Sequence, residues 1–155
     1  MAGGLRPESK SGALEQAHHT IAIETSGPGF TDLTPRVAAW IGSLAAADGL
    51  VTIFIRHTSA SLTIQENADP DVLEDLGDAF ERAAPRQARY RHGIEGPDDM
   101  PAHIKSMLTA TTLGIPVVAG RAVLGTWQAI YLVEHRDRPH RREIALHYVG
   151  TLRAQ

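Results

Sequence analysis

The chain has 155 residues, 43% of them hydrophobic, which is enough for one domain whose core needs no covalent staple. It has no cysteine, which excludes disulfides, thiolate metal sites and cysteine nucleophiles and fits a reducing, cytoplasmic setting. Its net charge of -3 gives no basic footprint, and no apolar run approaches the roughly 20 residues of a membrane span, so neither nucleic acid nor membrane is an expected partner.

The first residues, Met1 to Gly12, are rich in Gly, Ser and Pro and lack the apolar stretch of a signal peptide, so 1–16 is expected to be a flexible tail and 17–155 a single domain. His19 to Thr25 alternates polar and apolar residues, the period of a half-buried strand. Thr34-Pro35 opens a helix, with Thr34 as N-cap and Pro35 at the first helical position. Val37, Trp40, Ile41 and Leu44 form its apolar stripe, and Gly49 is its expected stop.

Leu50 to Arg56 is β-branched and apolar, a core strand, and Ala60 to Gln65 is its expected partner. Asp69-Pro70 repeats the cap-then-proline pattern, and Val72, Leu73, Leu76 and Phe80 supply a stripe for burial before Pro85 ends the helix. Arg86 to Met100 is a polar loop too long for a plain connection. Pro101 starts a third helix with Ile104, Met107 and Leu108 as its apolar face. Strands are expected at Ile115 to Val118, Ala122 to Leu124, Thr126 to Val133 and Glu143 to Leu152, joined by hairpin turns at Ala119-Gly120-Arg121 and Arg136 to Arg142. The irregular order of strands and helices disfavours a doubly wound parallel sheet. It points to an α+β domain with mostly antiparallel sheets and three helices.

The chain carries 8 histidines. His18, His19, His140 and His147 read as surface residues. His57, His92 and His103 stand at structural punctuation, and three separated imidazoles can converge on one divalent cation while leaving a position open. None belongs to a local HExxH, and a lone histidine serves as readily in a loop or a cap. Asp69 and Asp99 precede prolines and have capping roles available, whereas Glu66 and Glu95 do not. Those two are the better general-base candidates. Gly125-Thr126-Trp127-Gln128 mixes a hydroxyl, a flat ring and an amide, although Trp127 can equally be plain core. Arg136, Arg138, Arg141 and Arg142 can grip a phosphate or keep a loop solvated, and the solvated reading is the simpler. His57 and Ser59 do not make a hydrolase pair, since no G-x-S-x-G elbow exists. No Walker loop or dinucleotide fingerprint is present either.

The segments HTSASLTIQENADPDVLEDL (His57 to Leu76), YRHGIEGPDDMPAHIKSML (Tyr90 to Leu108) and IPVVAGRAVLGTWQAIYLVEHRDRPHRR (Ile115 to Arg142) resemble the YjbQ-like family, which carries the label secondary thiamine-phosphate synthase. The resemblance covers all but the N-terminal segment. It implies a two-sheet β-sandwich, a homotrimer, and a divalent metal held by His57, His92 and His103, with zinc favoured over magnesium for such ligands. Glu66, Glu95, Thr126 and Gln128 are then the expected catalytic residues, and Ser59, Asn67, Asp99 and Trp127 the expected substrate-binding ones. The implied reaction is a transfer joining a pyrimidine methyl diphosphate to a thiazole phosphate with release of pyrophosphate. The Arg136 to Arg142 loop departs from the family's FDGPR-like turn. A non-catalytic trimer that binds a metal or small ligand, or another metal-dependent reaction on a small phosphorylated molecule, are the other readings.

Overall fold

The computed structural model describes residues 12–154. Among them the chain forms β1 (Glu15–Thr25), β2 (Gly29–Asp32), α1 (Thr34–Ser43), β3 (Ala46–Ile55), β4 (Ala60–Glu66), α2 (Pro70–Ala83), α3 (Asp99–Leu108), β5 (Thr112–Val118), β6 (Arg121–Ala122), β7 (Gln128–Glu134) and β8 (His140–Leu152). The strands make a five-stranded sheet of order β1-β8-β3-β5-β6 and a three-stranded sheet of order β2-β7-β4, with every pairing antiparallel. One core lies between them. Ile21, Ile23, Val51, Ile53, Ile144, Leu146 and Tyr148 of the large sheet meet Leu62, Ile130 and Leu132 of the small one, and Val37 and Ile41 of α1 close one end. This is the α+β arrangement with antiparallel pairing and three helices that the pattern of elements indicates, in the two sheets that the family resemblance implies.

Several local expectations are corrected. β1 starts at Glu15, which pairs with Gly150, so two residues assigned to the tail belong to the sheet; residues 1–11 lie outside the described part. Thr34 is the first residue of α1, not its cap. Leu33 holds the cap position without a side-chain bond, and Asp32 Oδ1 accepts from Thr34 N–H at 2.8 Å. The Thr34 hydroxyl instead accepts from Ile130 N–H at 2.9 Å, tying the helix to β7.

Gly49 does not stop α1, which ends at Ser43; it lies inside β3. A Cβ there would fall 2.3 Å from the Val149 carbonyl oxygen and 2.7 Å from Gly150 Cα, so the close approach of β3 and β8 is what requires glycine. A hairpin turn does stand at the expected place, but it has two residues and not three: Ala119 and Gly120, both with positive φ (51° and 77°), join Val118 to Arg121, which already pairs in β6. The Arg136–Arg142 segment, however, is no hairpin. β7 lies in the small sheet and β8 in the large one, so this segment crosses between sheets.

The helices differ most from expectation. Asp69 caps α2 as its sequence suggests, accepting from Asp71 N–H at 3.0 Å. Yet none of the α2 residues is fully buried, so the Val72, Leu73, Leu76 and Phe80 stripe is only half covered. In α3 the expected face is reversed. Met107 is 79% exposed and Leu108 is exposed as well, while Asp99, Lys105 and Ser106 point inward. The inner side of α3 lies against β4, where the Ser106 hydroxyl donates to the Ala60 carbonyl at 3.1 Å, and it meets the crossover through Asp99 and α2 through Lys105; charges buried there demand such polar partners.

Candidate metal centre

The candidate site is built where the long loop, the start of α3 and the β7–β8 crossover meet. Arg136 anchors all three. Its Nε donates to Asp98 Oδ2 at 2.9 Å, its Nη2 to the Glu95 carbonyl at 2.9 Å, and its Nη1 to Asp99 Oδ1. Asp98 also accepts from Asp137 N–H at 2.9 Å. Burial pushes the Asp98 carboxyl up, but these hydrogen bonds more than offset it and hold the group below its ordinary value. Arg86 pairs with Asp137 at the far side of the loop, so a polar segment of irregular backbone is fixed at both ends.

With one oxygen held by Arg136, Asp99 presents the other to two histidines. Asp99 is 1% exposed, and its Oδ2 lies 2.7 Å from His92 Nε2 and 3.5 Å from His103 Nε2. Asp99 and His103 are four residues apart on α3, the spacing that places side chains on one helix face. His103 Nδ1 donates to the Thr58 carbonyl at 2.8 Å. A carbonyl can only accept, so Nδ1 carries the proton and, in the neutral ring, Nε2 keeps its lone pair for a cation. One donor atom from each of His92, Asp99 and His103 lies within 4.8 Å of the others. Two imidazoles, a carboxylate and an outer hydrogen bond to one of the imidazoles are the parts of an open divalent-cation site.

His57 stands apart from this triad. It precedes the Thr58 that holds His103, but its Nε2 accepts from Glu143 N–H at 2.9 Å. Burial and then the nearby Arg142 guanidinium lower its pKa, so the ring is held neutral. Ser59 is turned inward, and its hydroxyl and carbonyl oxygens accept from Arg142 Nη2 at 3.1 Å and 3.2 Å. Glu95 is exposed beside the triad, 3.6 Å from Arg136.

The other expected site residues gather elsewhere. Glu66 pairs with Gln128, Asn67 N–H donates to the Trp127 carbonyl at 2.9 Å, and Gln128 Oε1 accepts from Gly125 N–H at 2.7 Å. Thr126 is exposed next to them, and Trp127 is 62% exposed, so it is not core. This group closes one end of the β4–β7 ladder, and His57, Ser59 and the triad lie at the other. Seven residues of β4 separate the two ends, about 20 Å at the rise of an extended strand.

Four residues carry more of the structure than their sequence context suggests. The solvated reading of the arginine loop fits Arg138 and Arg141 but not Arg136 or Arg142, which are buried because each neutralises buried carboxylates. Glu134 accepts from Arg142 Nε and Nη2 (2.7 and 2.6 Å), from the Thr25 hydroxyl (2.7 Å), and from the His135 and Arg136 backbone N–H groups. His135 is buried and bonds Ser61. A run of ionisable residues directly after an apolar strand, Glu134-His135-Arg136, was the available sign that the strand delivers charge into the interior.

Comparison with known proteins identifies the family. Residues 19–151 match the profile described as UPF0047 protein YjbQ-like. The chain is 48% identical to the UPF0047 protein sll1880 of Synechocystis over 93% of its own length and 99% of the relative's. It is 40% identical to the UPF0047 protein YjbQ of Escherichia coli O157:H7, covering 88% and 96% of the two chains. The crystal structure of an uncharacterized conserved YjbQ/UPF0047 protein from Clostridium acetobutylicum superposes with a TM-score of 0.77 at 35% identity, over 83% of this chain and 97% of that one. Fold, length and sequence agree: the chain belongs to the UPF0047 YjbQ-like family.

Proposed function

We propose that the chain is a divalent-metal-dependent enzyme acting on a small phosphorylated substrate, with thiamine-phosphate synthesis as its reaction. The observation that carries this reading is the convergence of His92, Asp99 and His103. The donor set fits a borderline cation such as zinc better than magnesium, which prefers oxygen ligands and its own water. When bound, such a cation supplies Lewis-acid stabilisation for a departing diphosphate. Arg136 fixes Asp99 so that only Oδ2 faces the triad, and Thr58 fixes the His103 tautomer. Glu95, exposed beside them, is placed to hold or pass a proton, and His57 flanks the site through Thr58.

The split of the expected residues supports the homotrimer. A small molecule cannot touch both ends of a ladder about 20 Å long within one chain. Joining the Trp127 end of one copy to the triad end of the next completes the set between copies, and a head-to-tail contact of this kind whose rotation closes gives a ring such as the homotrimer. Apolar surface is available for such contacts: Ile94, Met107 and Leu108 near the triad, Val123 and Trp127 at the other end, and Leu50, Phe54, Val118 and Val149 on the outer side of the large sheet.

The test is growth rescue of a thiamine auxotroph lacking its own synthase. Wild-type protein is expected to restore growth and to release pyrophosphate in vitro from the two phosphorylated precursors. No rescue and no pyrophosphate from metal-loaded protein would leave a non-catalytic trimer that binds a metal or small ligand in its place.

A further inference from the structure

A cavity adjoins the triad on the side of Thr58, whose carbonyl accepts from His103 Nδ1 at 2.8 Å. It holds about 670 Å³ and is open to solvent. Its walls are Phe54 of β3, then Arg56, His57, Thr58 and Ser59 between β3 and β4, and Thr111 just before β5. No carboxylate lines it.

The oxygens of this wall are largely spent. The Thr58 carbonyl serves His103, the Ser59 carbonyl and hydroxyl oxygens serve Arg142, and the Thr111 carbonyl accepts from Ile55 N–H at 3.0 Å. The donors are not. Among the described residues the backbone N–H groups of His57, Thr58 and Ser59 have no acceptor, and the Thr58 and Thr111 hydroxyls have no partner. Ser59 is only 8% exposed, and a backbone donor in so covered a residue is nearly always paired. An acceptor from outside the chain is what completes it.

His57 adds a donor of fixed position. Its Nε2 accepts from Glu143 N–H at 2.9 Å, and a nitrogen that accepts carries no proton, so the proton is on Nδ1. That N–H also has no acceptor among the described residues. Arg56 brings the charge. One of its five N–H groups goes to Glu143 at 2.9 Å, in a pair whose side chains are 57% and 41% exposed. Such an exposed pair is held weakly, and an incoming anion competes for the guanidinium on favourable terms.

We propose that this cavity is a phosphate subsite, holding a phosphate group of the substrate beside the triad. The inference rests on the reading of the substrate as a small phosphorylated molecule, and it says where one phosphate goes. Three oxygens on one centre suit this many donors better than the two of a carboxylate. Arg56 supplies the counter-charge, and the His57 Nδ1–H and the backbone N–H groups of 57–59 set the position. The rest of the space, with the Phe54 ring on its wall, admits the body that carries the phosphate.

The test is calorimetric titration of the full-length protein with inorganic phosphate at constant ionic strength, after chelator treatment and again with zinc supplied. Phosphate is expected to saturate one site per chain in both states. Arg56→Met is expected to weaken it at least about tenfold, the size of a lost hydrogen bond to a charged group, with little change in melting temperature because the Glu143 left behind is exposed. Arg138→Met, which removes an exposed charge from the crossover, is expected to bind as wild type does. No saturation at millimolar phosphate without metal, or binding that Arg56→Met leaves unchanged, would overturn the proposal, as would equal losses in the Arg56 and Arg138 variants. Phosphate bound only when zinc is present would place it on the metal and overturn it too. Neither turnover nor metal enters the chelator-treated titration, so its failure is separate from a failure of growth rescue.

Discussion

Replacing Arg142 with methionine is expected to cost about 3–5 kcal/mol of stability at neutral pH, because it strands Glu134 as a buried anion without its cation. Glu134 and Arg142 side chains are only 2% and 3% exposed, so water cannot take over the lost partner. The pH dependence follows from the carboxyl. Burial alone would raise its pKa, but Arg142, the Arg136 N–H and the Thr25 hydroxyl reverse that and hold it below the ordinary value of 4.5. A depressed carboxyl contributes stability above its unfolded pKa and loses it as pH falls through the folded one. The gap between wild type and Arg142→Met should therefore be widest near pH 7 and narrow on acidification below about pH 4.5. Urea denaturation across that range measures it. A loss under about 1 kcal/mol at pH 7, the size of an exposed pair, would mean that the crossover tolerates an open charge.

The second large effect concerns the shared site. His103→Ala and Gln128→Ala chains should each be inactive in thiamine-phosphate formation. Unfolded together in equal amounts and refolded, they should recover about a quarter of wild-type activity. In a head-to-tail ring, that is the chance that an intact triad end meets an intact Gln128 end. Such recovery cannot occur if each chain works alone. A mixture as inactive as its components, despite verified mixed assembly, would remove the shared site and return the Glu66, Thr126 and Gln128 cluster to a structural role.

What could be read from sequence was what depends on short-range rules. Asp69 caps α2 because a carboxylate two residues from an N–H needs no tertiary context, and Ala119-Gly120 turns because the two-residue loop dictates positive φ. The resemblance supplied the two-sheet arrangement. The failures at α3 and the crossover share a cause in long-range charge, whereas those at Thr34 and Gly49 come from contacts with distant backbone, Ile130 N–H and the close approach of β8. Ile104, Met107 and Leu108 have helical period, but periodicity does not say which side meets the protein, and the inner side of α3 meets Arg136 and Glu81 through Asp99 and Lys105. Asp99 itself read as a cap or substrate contact, yet it supplies the carboxylate between His92 and His103. Its spacing of four from His103 at a helix start was the legible clue. No local rule could show that the Arg136–Arg142 segment leaves one sheet for the other, which is what buries two of its arginines.

Metal content of the full-length protein, purified without a histidine tag and measured by elemental analysis, tests the central claim most directly. About one divalent metal per chain is expected in wild type, with zinc the leading candidate for a two-imidazole, one-carboxylate set. His92→Ala, Asp99→Asn and His103→Ala should each lose it while remaining folded, because the hydrophobic core is built without the triad. His18→Ala, exposed on β1, should keep it. Stoichiometric metal retained in all three triad variants, or none in wild type after zinc is supplied, would contradict the assignment of His92, Asp99 and His103 as a metal centre.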